Sequence, residues 1–223
     1  MKTVLLTSAV ILALAAFASA TLAADLSRRY PTPPAVTPIY APVYNWTGFY
    51  IGVNGGAAFG YSNWDSAGGF NLTGGLLGGT IGFNWQPGPL VLGIESDLDW
   101  SGISGSTTNL CPLSCKMANS WLGTVRGRAG YAFDRIMPYV TGGLAFGNIK
   151  AATPGFPGAD NANTGWTVGA GLEVAIGGGW TAKAEYLFVD LGSANCGFNC
   201  GALANDNVSF RASVVRGGLN YRF

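Results

Sequence analysis

The chain has 223 residues, enough for one sizeable domain or two small ones. Only 10% of the residues are charged, compared with roughly 25% in ordinary soluble domains, whereas 35 are glycine, 13% are aromatic and none is histidine. The 12 basic residues nearly cancel the 11 acidic ones, and one basic residue, Lys2, lies in a segment that we expect to be removed. The remaining balance excludes a nucleic-acid binder that works by neutralising phosphates, and the high hydrophobicity excludes a disordered chain.

The N-terminal segment has the features of a secretory signal peptide. Lys2 gives a short positive region, residues 4–18 form an apolar run rich in Ala and Leu, and small residues follow. The cleavage pattern places the cut after Ala20, with a second candidate after Ala23. A membrane anchor is the alternative, but the apolar run is short for a span. We therefore predict that residues 1–23 are a signal peptide.

The next segment, residues 24–45, is dense in proline. Proline cannot donate to a sheet ladder and breaks helix interiors, and closely spaced prolines favour extended polyproline conformations. The prolines are Pro31, Pro33, Pro34, Pro38 and Pro42. We predict a solvated tether that leads into one folded domain, residues 46–223.

Within that domain, apolar and polar residues alternate with period two, which is the signal of half-buried strands. In the first such stretch Phe49, Ile51 and Val53 share one face, and Tyr50 and Asn54 share the other. The alternation predicts eight strands of about 10 to 14 residues, a length that suits a tilted membrane crossing. In chain order, the alternating residues that mark these strands span 49–57, 77–85, 90–100, 121–133, 138–146, 166–176, 180–188 and 215–223.

The connections between these strands alternate between short and long. Three are tight and turn-competent, at 86–89, 134–135 and 177–179. Four are rich in Gly, Asn and Ser, near 60–71, 101–119, 150–164 and 192–207. The pattern predicts an all-β fold: an eight-stranded antiparallel transmembrane β-barrel with short turns at one end and long loops at the other.

The two faces of the predicted strands differ in charge. One face is almost wholly apolar, whereas the other holds glycines, threonines and nearly all the strand charges. These charges are Glu95, Asp97, Asp99, Glu173 and Glu185 with Arg126, Arg128, Lys183, Arg216 and Arg222. Five acids and five bases can pair inside a barrel, whereas facing lipid they would cost several kcal/mol per residue. We predict that they form an ion-pair network in the lumen; a soluble barrel would reverse the two faces.

Aromatic residues recur near the predicted strand ends, as in the interfacial girdles of membrane barrels. They are Trp46, Trp85, Trp100, Trp121, Trp166, Trp180 and Tyr221. A helical membrane protein is disfavoured, because no apolar run of about 18 residues follows the signal peptide. The exterior is therefore expected to contact lipid.

The four cysteines form two pairs with one spacing, Cys111-x3-Cys115 and Cys196-x3-Cys200, in predicted long loops. An even number of cysteines in an exported chain predicts disulfides. Three pairings are open, and we expect local closure because only three residues intervene. A four-cysteine zinc site is the alternative, which an oxidising compartment disfavours.

Five stretches carry a recognisable pattern: APVYNWTGFYIG at 41–52, residues 75–85, GIESDLDW at 93–100, PYVTGGLA at 138–145 and GLNYRF at 218–223. They resemble the small surface-antigen family of α-proteobacterial outer-membrane β-barrel proteins. The resemblance covers the whole chain after the signal peptide, although the paired cysteines are not a general feature of that family. It implies an outer-membrane location, an eight-stranded barrel like the OmpA membrane domain, and a periplasmic tether. The sequence stops at Phe223, so no C-terminal peptidoglycan-binding domain is expected.

The resemblance also implies partners. The C-terminal aromatic residues Tyr221 and Phe223 on an amphipathic last strand are similar to the signal that the outer-membrane assembly machinery reads. Outer-membrane lipid and lipopolysaccharide are the other expected partners, and no nucleic acid is expected. The oligomeric state does not follow from the sequence.

The sequence offers little for catalysis. There is no histidine to act as a general base, and neither a Gly-x-Ser-x-Gly elbow nor a P-loop occurs. Glu95, Asp97 and Asp99 form an acidic cluster, but Arg126 and Arg128 on the next predicted strand are expected to neutralise it. We predict a non-enzymatic protein without a cofactor or a metal.

Three functions remain open. We favour an outer-membrane protein that contributes to envelope structure and presents its loops at the surface. A narrow porin of low conductance is the first alternative, since the lumen of an eight-stranded barrel is just wide enough for side chains to fill. A surface adhesin or a ligand-binding protein, for example for haem, is the second, with loop residues such as Phe70 as contacts and Met117 as a weak iron ligand.

Overall fold

The computed structural model describes residues 44–64, 68–108, 115–152, 159–195 and 207–223. The predicted signal peptide and nearly all of the predicted tether lie outside these residues, as do Cys111, Cys196 and Cys200. Within the described ranges no helix is long and apolar enough to cross a membrane.

Eight antiparallel strands close into one barrel, in which each strand pairs with its neighbours in sequence and β8 pairs with β1. The strands are β1 (Gly48–Trp64), β2 (Gly68–Trp85), β3 (Leu90–Thr107), β4 (Cys115–Tyr131), β5 (Ile136–Ala152), β6 (Ala159–Gly177), β7 (Trp180–Asn195) and β8 (Asn207–Arg222). The fold class predicted from the alternation is confirmed. We call the end with the connections 86–89, 132–135 and 178–179 the short-turn end, and the opposite end the long-hairpin end.

The predicted strand lengths were wrong, because the strands run to between 16 and 19 residues. β1 and β2 stay paired from Gly48↔Asn84 up to Trp64↔Gly68, so most of the expected loop at 60–71 is a paired hairpin. The other three long connections are shortened in the same way. The prediction ended each strand where the outward apolar residues stopped, but small polar residues continue the pleated pairing beyond that point.

The register fixes the tilt of the strands. Stepping from partner to partner once around the barrel leads from Tyr50 back to β1 at Gly60, which is ten residues further along. The path is Tyr50, Gly82, Glu95, Arg126, Gly143, Thr167, Val189, Ala212 and Gly60. A stagger of ten residues over eight strands corresponds to a tilt of about 40°, so each residue rises about 2.5 Å along the barrel axis.

The outward surface is an apolar band between two aromatic belts. On β3 the outward apolar side chains run from Leu90 to Trp100, a rise of about 25 Å at this tilt, which matches the apolar band of membrane-spanning barrels. Exposed aromatic residues at the short-turn end are Phe49, Phe83, Trp85, Tyr131, Phe133, Trp180, Tyr221 and Phe223. Those that close the band toward the long-hairpin end include Phe59, Trp100 and Trp166.

Above the upper belt the strands continue with their polarity exchanged. On β8, the apolar side chain of Val215 points outward and the charged side chain of Arg216 is buried inside. One step higher, Val214 is buried inside and Ser213 lies on the outer face, where its hydroxyl contacts that of Tyr186. β3 extends for seven residues beyond Trp100, so this extension rises about 17 Å above the belt.

An irregularity in β4 accompanies this exchange. The register of β4 against β5 shifts between Ala118 and Leu122, which is the signature of a β-bulge. Asn148 on β5 stabilises it, because its Oδ1 accepts hydrogen bonds from the backbone N–H groups of Ser120 (3.0 Å) and Trp121 (3.4 Å). The extra residue reverses the in–out alternation of β4 at the bulge. Leu122, which follows the bulge toward the short-turn end, is therefore buried.

Candidate functional site

The barrel interior is the candidate site, since it collects nine of the ten charged residues singled out from the sequence. It contains three layers of side chains. The floor, at the short-turn end, consists of Trp46, Val91, Ala132, Met137, Tyr139 and Ala175. The charged layer above it consists of Glu95, Asp97, Asp99, Arg126, Arg128, Glu173, Lys183, Glu185 and Arg216. The apolar layer fills the long-hairpin half.

Trp46 anchors the floor. Its side chain is only 1% exposed, its Nε1 donates to Asp134 O at 3.0 Å, and its backbone N–H donates to Gln86 Oε1 at 2.6 Å. The expectation that Trp46 belongs to the lipid-facing girdle is therefore wrong. Trp46 precedes β1, so it is not bound by the in–out alternation of a strand and folds inward across the short-turn end.

Tyr44 packs edge-on against Trp46, with their ring centroids 4.9 Å apart, and its backbone N–H donates to Asp134 Oδ1 at 2.9 Å. The last residues of the predicted tether are therefore attached to the barrel. Burial raises the pKa of the Tyr44 phenol, and the nearby Arg222 guanidinium opposes that shift.

Arg222 lies apart from the charged layer. Its guanidinium stands 4.7 Å above the ring of Tyr44, and its Nη1 donates to Thr47 O at 3.3 Å. The sequence analysis grouped it with the other nine charges because it shares their face. Its position at the end of β8 instead places it at the short-turn mouth.

Arg126 occupies the centre of the charged layer. Its guanidinium contacts three carboxylates, with Nη2 2.5 Å from Glu95 Oε1 and 2.6 Å from Asp97 Oδ2, and Nη1 2.7 Å from Glu185 Oε1. The side chain is 1% exposed. A guanidinium suits this position because its fixed fork of donors can bind several carboxylates at once.

Arg216 plays a similar part on the opposite wall. It contacts Asp97 Oδ2 at 2.8 Å, Glu185 Oε2 at 2.7 Å and Asp99 Oδ2 at 3.0 Å. β3 and β8 do not pair with each other, so these contacts join strands across the lumen.

Two further cations complete the layer nearer the floor. Arg128 contacts Glu173 Oε2 at 2.6 Å and Glu95 Oε2 at 3.4 Å, and its guanidinium stacks 4.1 Å from the Tyr139 ring. Lys183 Nζ lies 3.0 Å from Glu95 Oε2. The structure thus brings nine of the ten predicted charges into one buried network.

The apolar layer was missed by the sequence analysis. Fifteen buried residues form it, among them Leu72, Ile103, Ile149 and Phe210. The signal was available, because the period-two alternation continues into the supposed loops with its faces exchanged. Phe70, expected as a surface contact of the loops, and Met117, considered as a weak iron ligand, are buried in this layer instead.

No metal or cofactor site emerges from the part of the chain that the structure describes. The described residues contain no group of three or more His, Cys, Asp or Glu side chains that could hold a metal ion. Cys115 is the first residue of β4 and pairs with Thr107 of β3. The predicted disulfides and the alternative zinc site involve the three cysteines outside the described residues.

A closed eight-stranded barrel with a lipid-facing exterior, two aromatic belts and a buried charged interior is the architecture of an integral outer-membrane β-barrel protein. Residues 9–223 match the family described as outer membrane protein beta-barrel domain, and the chain belongs to that family. It is an outer-membrane protein, with the short-turn end periplasmic and the long-hairpin end extracellular.

Similar proteins carry matching descriptions. The chain is 38% identical to the 31 kDa outer-membrane immunogenic protein of Brucella melitensis biotype 1 over 248 residues, covering all of both chains. It is 33% identical to the 22 kDa outer membrane protein of Rhizobium leguminosarum bv. viciae, covering 82% of this chain and 80% of that one. The resemblance to α-proteobacterial surface antigens is confirmed. None of these names describes an enzyme.

Among solved structures, the chain is similar to Neisserial surface protein A. The match covers 79% of this chain and 98% of that one, at 16% identity and a TM-score of 0.49. A score at this level adds nothing to the fold argument, which rests on the register of the eight strands.

Proposed function

We propose that this protein is a non-enzymatic, closed barrel that contributes to the structure of the outer membrane and presents its extracellular hairpins at the cell surface. The observation that carries the proposal is the continuous filling of the interior. Buried side chains follow one another from Trp46 at the floor, through Arg126 in the charged layer, to Phe210 near the top.

A porin is the main alternative, and the interior argues against it. The lumen of an eight-stranded barrel is just wide enough for side chains to fill. In this barrel, Arg216 reaches across the lumen to Asp97 and Asp99, and Ile103 and Phe210 are buried above them. An ion on this route would have to break buried ion pairs and then cross an apolar layer.

A planar-bilayer recording of the refolded protein tests the proposal. We expect a membrane conductance indistinguishable from that of the bilayer alone. Large, stable, solute-permeable steps would overturn the closed-barrel function. Trp46→Ala, which removes the largest side chain of the floor, should still not conduct because two layers remain. The exposed Trp85→Ala is its matched control.

Among the residues that the structure describes, the interior offers no arrangement for catalysis. Each of the three acids of the β3 cluster contacts at least one arginine, and the cluster is almost completely buried. A general base must reach its substrate, and these carboxylates are paired with arginines and shielded from solvent. This supports a non-enzymatic function.

We propose the outer-membrane assembly machinery as a partner, through the last strand. Tyr221 lies edge-on to Trp180 at 5.1 Å and to Phe223 at 5.4 Å, and Phe223 is 72% exposed. Phe223→Ala should therefore reduce the amount of barrel assembled in cells while leaving the melting temperature of refolded protein within about 2 °C of the unsubstituted one. Phe133→Ala, another exposed aromatic of the same belt, is the matched control, and equal assembly of both variants would contradict this role.

Outer-membrane lipid and lipopolysaccharide are the partners proposed for the outer wall. The apolar band of about 25 Å is as tall as that of membrane-spanning barrels, and this supports lipid as its partner. Polar side chains above the band, such as Arg211 and Asp190, would then face headgroups and sugars. The extracellular ends of the described strands are then held well above the lipid, where other molecules can reach them.

A further inference from the structure

The charged layer contains unequal numbers of acids and bases. Five carboxylates, on Glu95, Asp97, Asp99, Glu173 and Glu185, face four cations, and none of the nine residues is more than 4% exposed. The fifth base expected from the sequence is at the periplasmic mouth instead. An uncompensated carboxylate in such an interior is strongly unfavourable, because the desolvation it suffers is not repaid by an ion pair.

The excess is greatest toward the extracellular part of the layer, where Arg126 is shared with Glu95 on the floor side. Toward the floor, Glu95 and Glu173 are matched by Arg128 and Lys183. Toward the apolar layer, three carboxylates share two arginines. They are Asp97, Asp99 and Glu185, with Arg126 and Arg216.

Asp97 and Asp99 are neighbours on the same face of β3, but their surroundings differ. Asp97 is flanked across the ladders by Thr80 and Thr124, whose hydroxyls donate to it at 2.6 and 2.9 Å. It also contacts both arginines. Its two oxygens therefore accept from four donors, as an ionised carboxylate requires.

Asp99 is flanked at the same positions by Gly78 and Leu122, which have no side-chain donor. Its Oδ2 is 3.0 Å from Arg216 Nη1, and its Oδ1 is buried with no hydrogen-bond partner. Arg216 already serves two other carboxylates, and Leu122 belongs to the apolar layer.

Asn54 offers an acceptor for a proton on Asp99. Asn54 on β1 pairs with Gly78, which in turn pairs with Asp99, so the Asn54 and Asp99 side chains face each other across a residue without a side chain. Asn54 Nδ2 donates to Thr80 Oγ1 at 3.0 Å, which leaves Oδ1 as the acceptor of that amide, and Oδ1 also has no hydrogen-bond partner. Both acceptors are buried, and each lacks a donor.

We propose that Asp99 carries a proton in the folded barrel, so that the charged layer holds four carboxylates against four cations. The proton gives the carboxyl an O–H that donates to Asn54, while the other oxygen continues to accept from Arg216. One proton thus removes the charge excess and satisfies the two orphan acceptors.

Asp99→Asn tests this, because an amide has the shape of a protonated carboxyl and the same ability to donate. We expect the refolded full-length variant to melt at the same temperature as the unsubstituted barrel or above it. Asp97→Asn is the matched control on the same strand. It removes a charge that two arginines require, and we expect its melting temperature to fall by about 6–12 °C. A comparable fall for Asp99→Asn would overturn the proposal.

Infrared spectroscopy gives a second readout that does not depend on the control folding. The unsubstituted barrel should show the carbonyl band of a protonated carboxyl, and Asp99→Asn should lose it. The absence of that band, or its persistence in Asp99→Asn, would place the proton elsewhere and contradict the assignment. Neither measurement depends on whether the barrel conducts ions.

Discussion

The membrane-level part of the barrel and its extracellular extension are filled by opposite chemistry. At the level of lipid, the outer wall is apolar and the interior is a network of ion pairs around Arg126. In the extension, the outer wall carries groups such as Ser213 and the Arg211–Asp190 pair, and the interior is packed with apolar side chains around Phe210. The strands are continuous through both parts.

This difference shows that the surroundings of the wall, rather than the strand itself, decide which residues lie inside. Lipid covers apolar side chains at no cost, so the interior at that level can be polar provided that its groups pair with one another. Above the lipid, water replaces it, and burial of apolar surface becomes the main stabilising contribution, as in a soluble barrel. The two parts should therefore respond differently to the same kind of substitution.

The largest effect is expected from Arg126→Ala. It removes a cation that contacts Glu95, Asp97 and Glu185 and leaves three buried carboxylates short of a partner. The free energy of unfolding should fall by on the order of 3–5 kcal/mol. The measurement is denaturant unfolding in lipid vesicles, followed by the mobility difference between unheated and heated samples on gels. Arg126→Lys keeps the charge but not the several donors of the guanidinium, so its stability should lie between those of Arg126→Ala and the unsubstituted barrel. An unchanged stability of Arg126→Ala would rule out a stabilising ion-pair interior.

A smaller and more local effect is expected from Phe210→Ala. The side chain is 1% exposed in the apolar layer, so its removal leaves a cavity and should cost about 3 kcal/mol. Hydrogen exchange should rise in the extension, for instance at Ser62 on the neighbouring strand, and remain slow at the level of Arg126. Phe59→Ala, an exposed residue of the same type, is the matched control. Uniformly faster exchange along the barrel would argue against a separate core in the extension.

A moderate effect is expected from Asn148→Ala. The amide oxygen accepts from the backbone of Ser120 and Trp121, and its loss leaves these N–H groups without that acceptor at the β4 bulge. A buried unsatisfied donor costs about 1–3 kcal/mol, so the melting temperature should fall by a few degrees. The exposed Asn71→Ala should change nothing measurable. If both variants melt alike, the bulge does not depend on this side chain.

The smallest effect is expected from Arg211→Ala in the wall of the extension. Its Nε lies 3.0 Å from Asp190 Oδ2, but the arginine side chain is 64% exposed and its charge is screened by water. The free energy of unfolding should change by less than about 1 kcal/mol, and by less still at high salt. A loss as large as that of Arg126→Ala would mean that the extension is stabilised by charge as well.

Much of this arrangement could be predicted from the sequence. Strict alternation over eight segments is enough to predict an antiparallel barrel, because only a strand places successive side chains on opposite faces. The same pattern predicted that Glu95, Arg126 and Arg216 share an inner face. Once the barrel closes, these residues from strands that are distant in sequence meet inside it and can form ion pairs.

Other features did not follow from local pattern. Residues such as Ser209, Arg211 and Ser213 are typical of loops, and they predict loops where the structure has the extension. The apolar residues that alternate with them are buried, and recognising that alternation would have indicated strands. Trp46 was assigned to the girdle because a tryptophan near a strand end has two possible destinations, and only the contact with Asp134 selects the inward one.

The amino-acid sequence by itself determined the strand count, the alternation of faces and the kind of side chain on each, since these are properties of neighbouring residues. The tertiary structure decided how far the strands extend, where the two faces exchange roles, and that Arg222 lies at the mouth while nine other charges are buried together. These depend on the ten-residue stagger of the closed barrel, which sets the height of every side chain against residues from distant strands. A pattern read along one strand contains no information about that height.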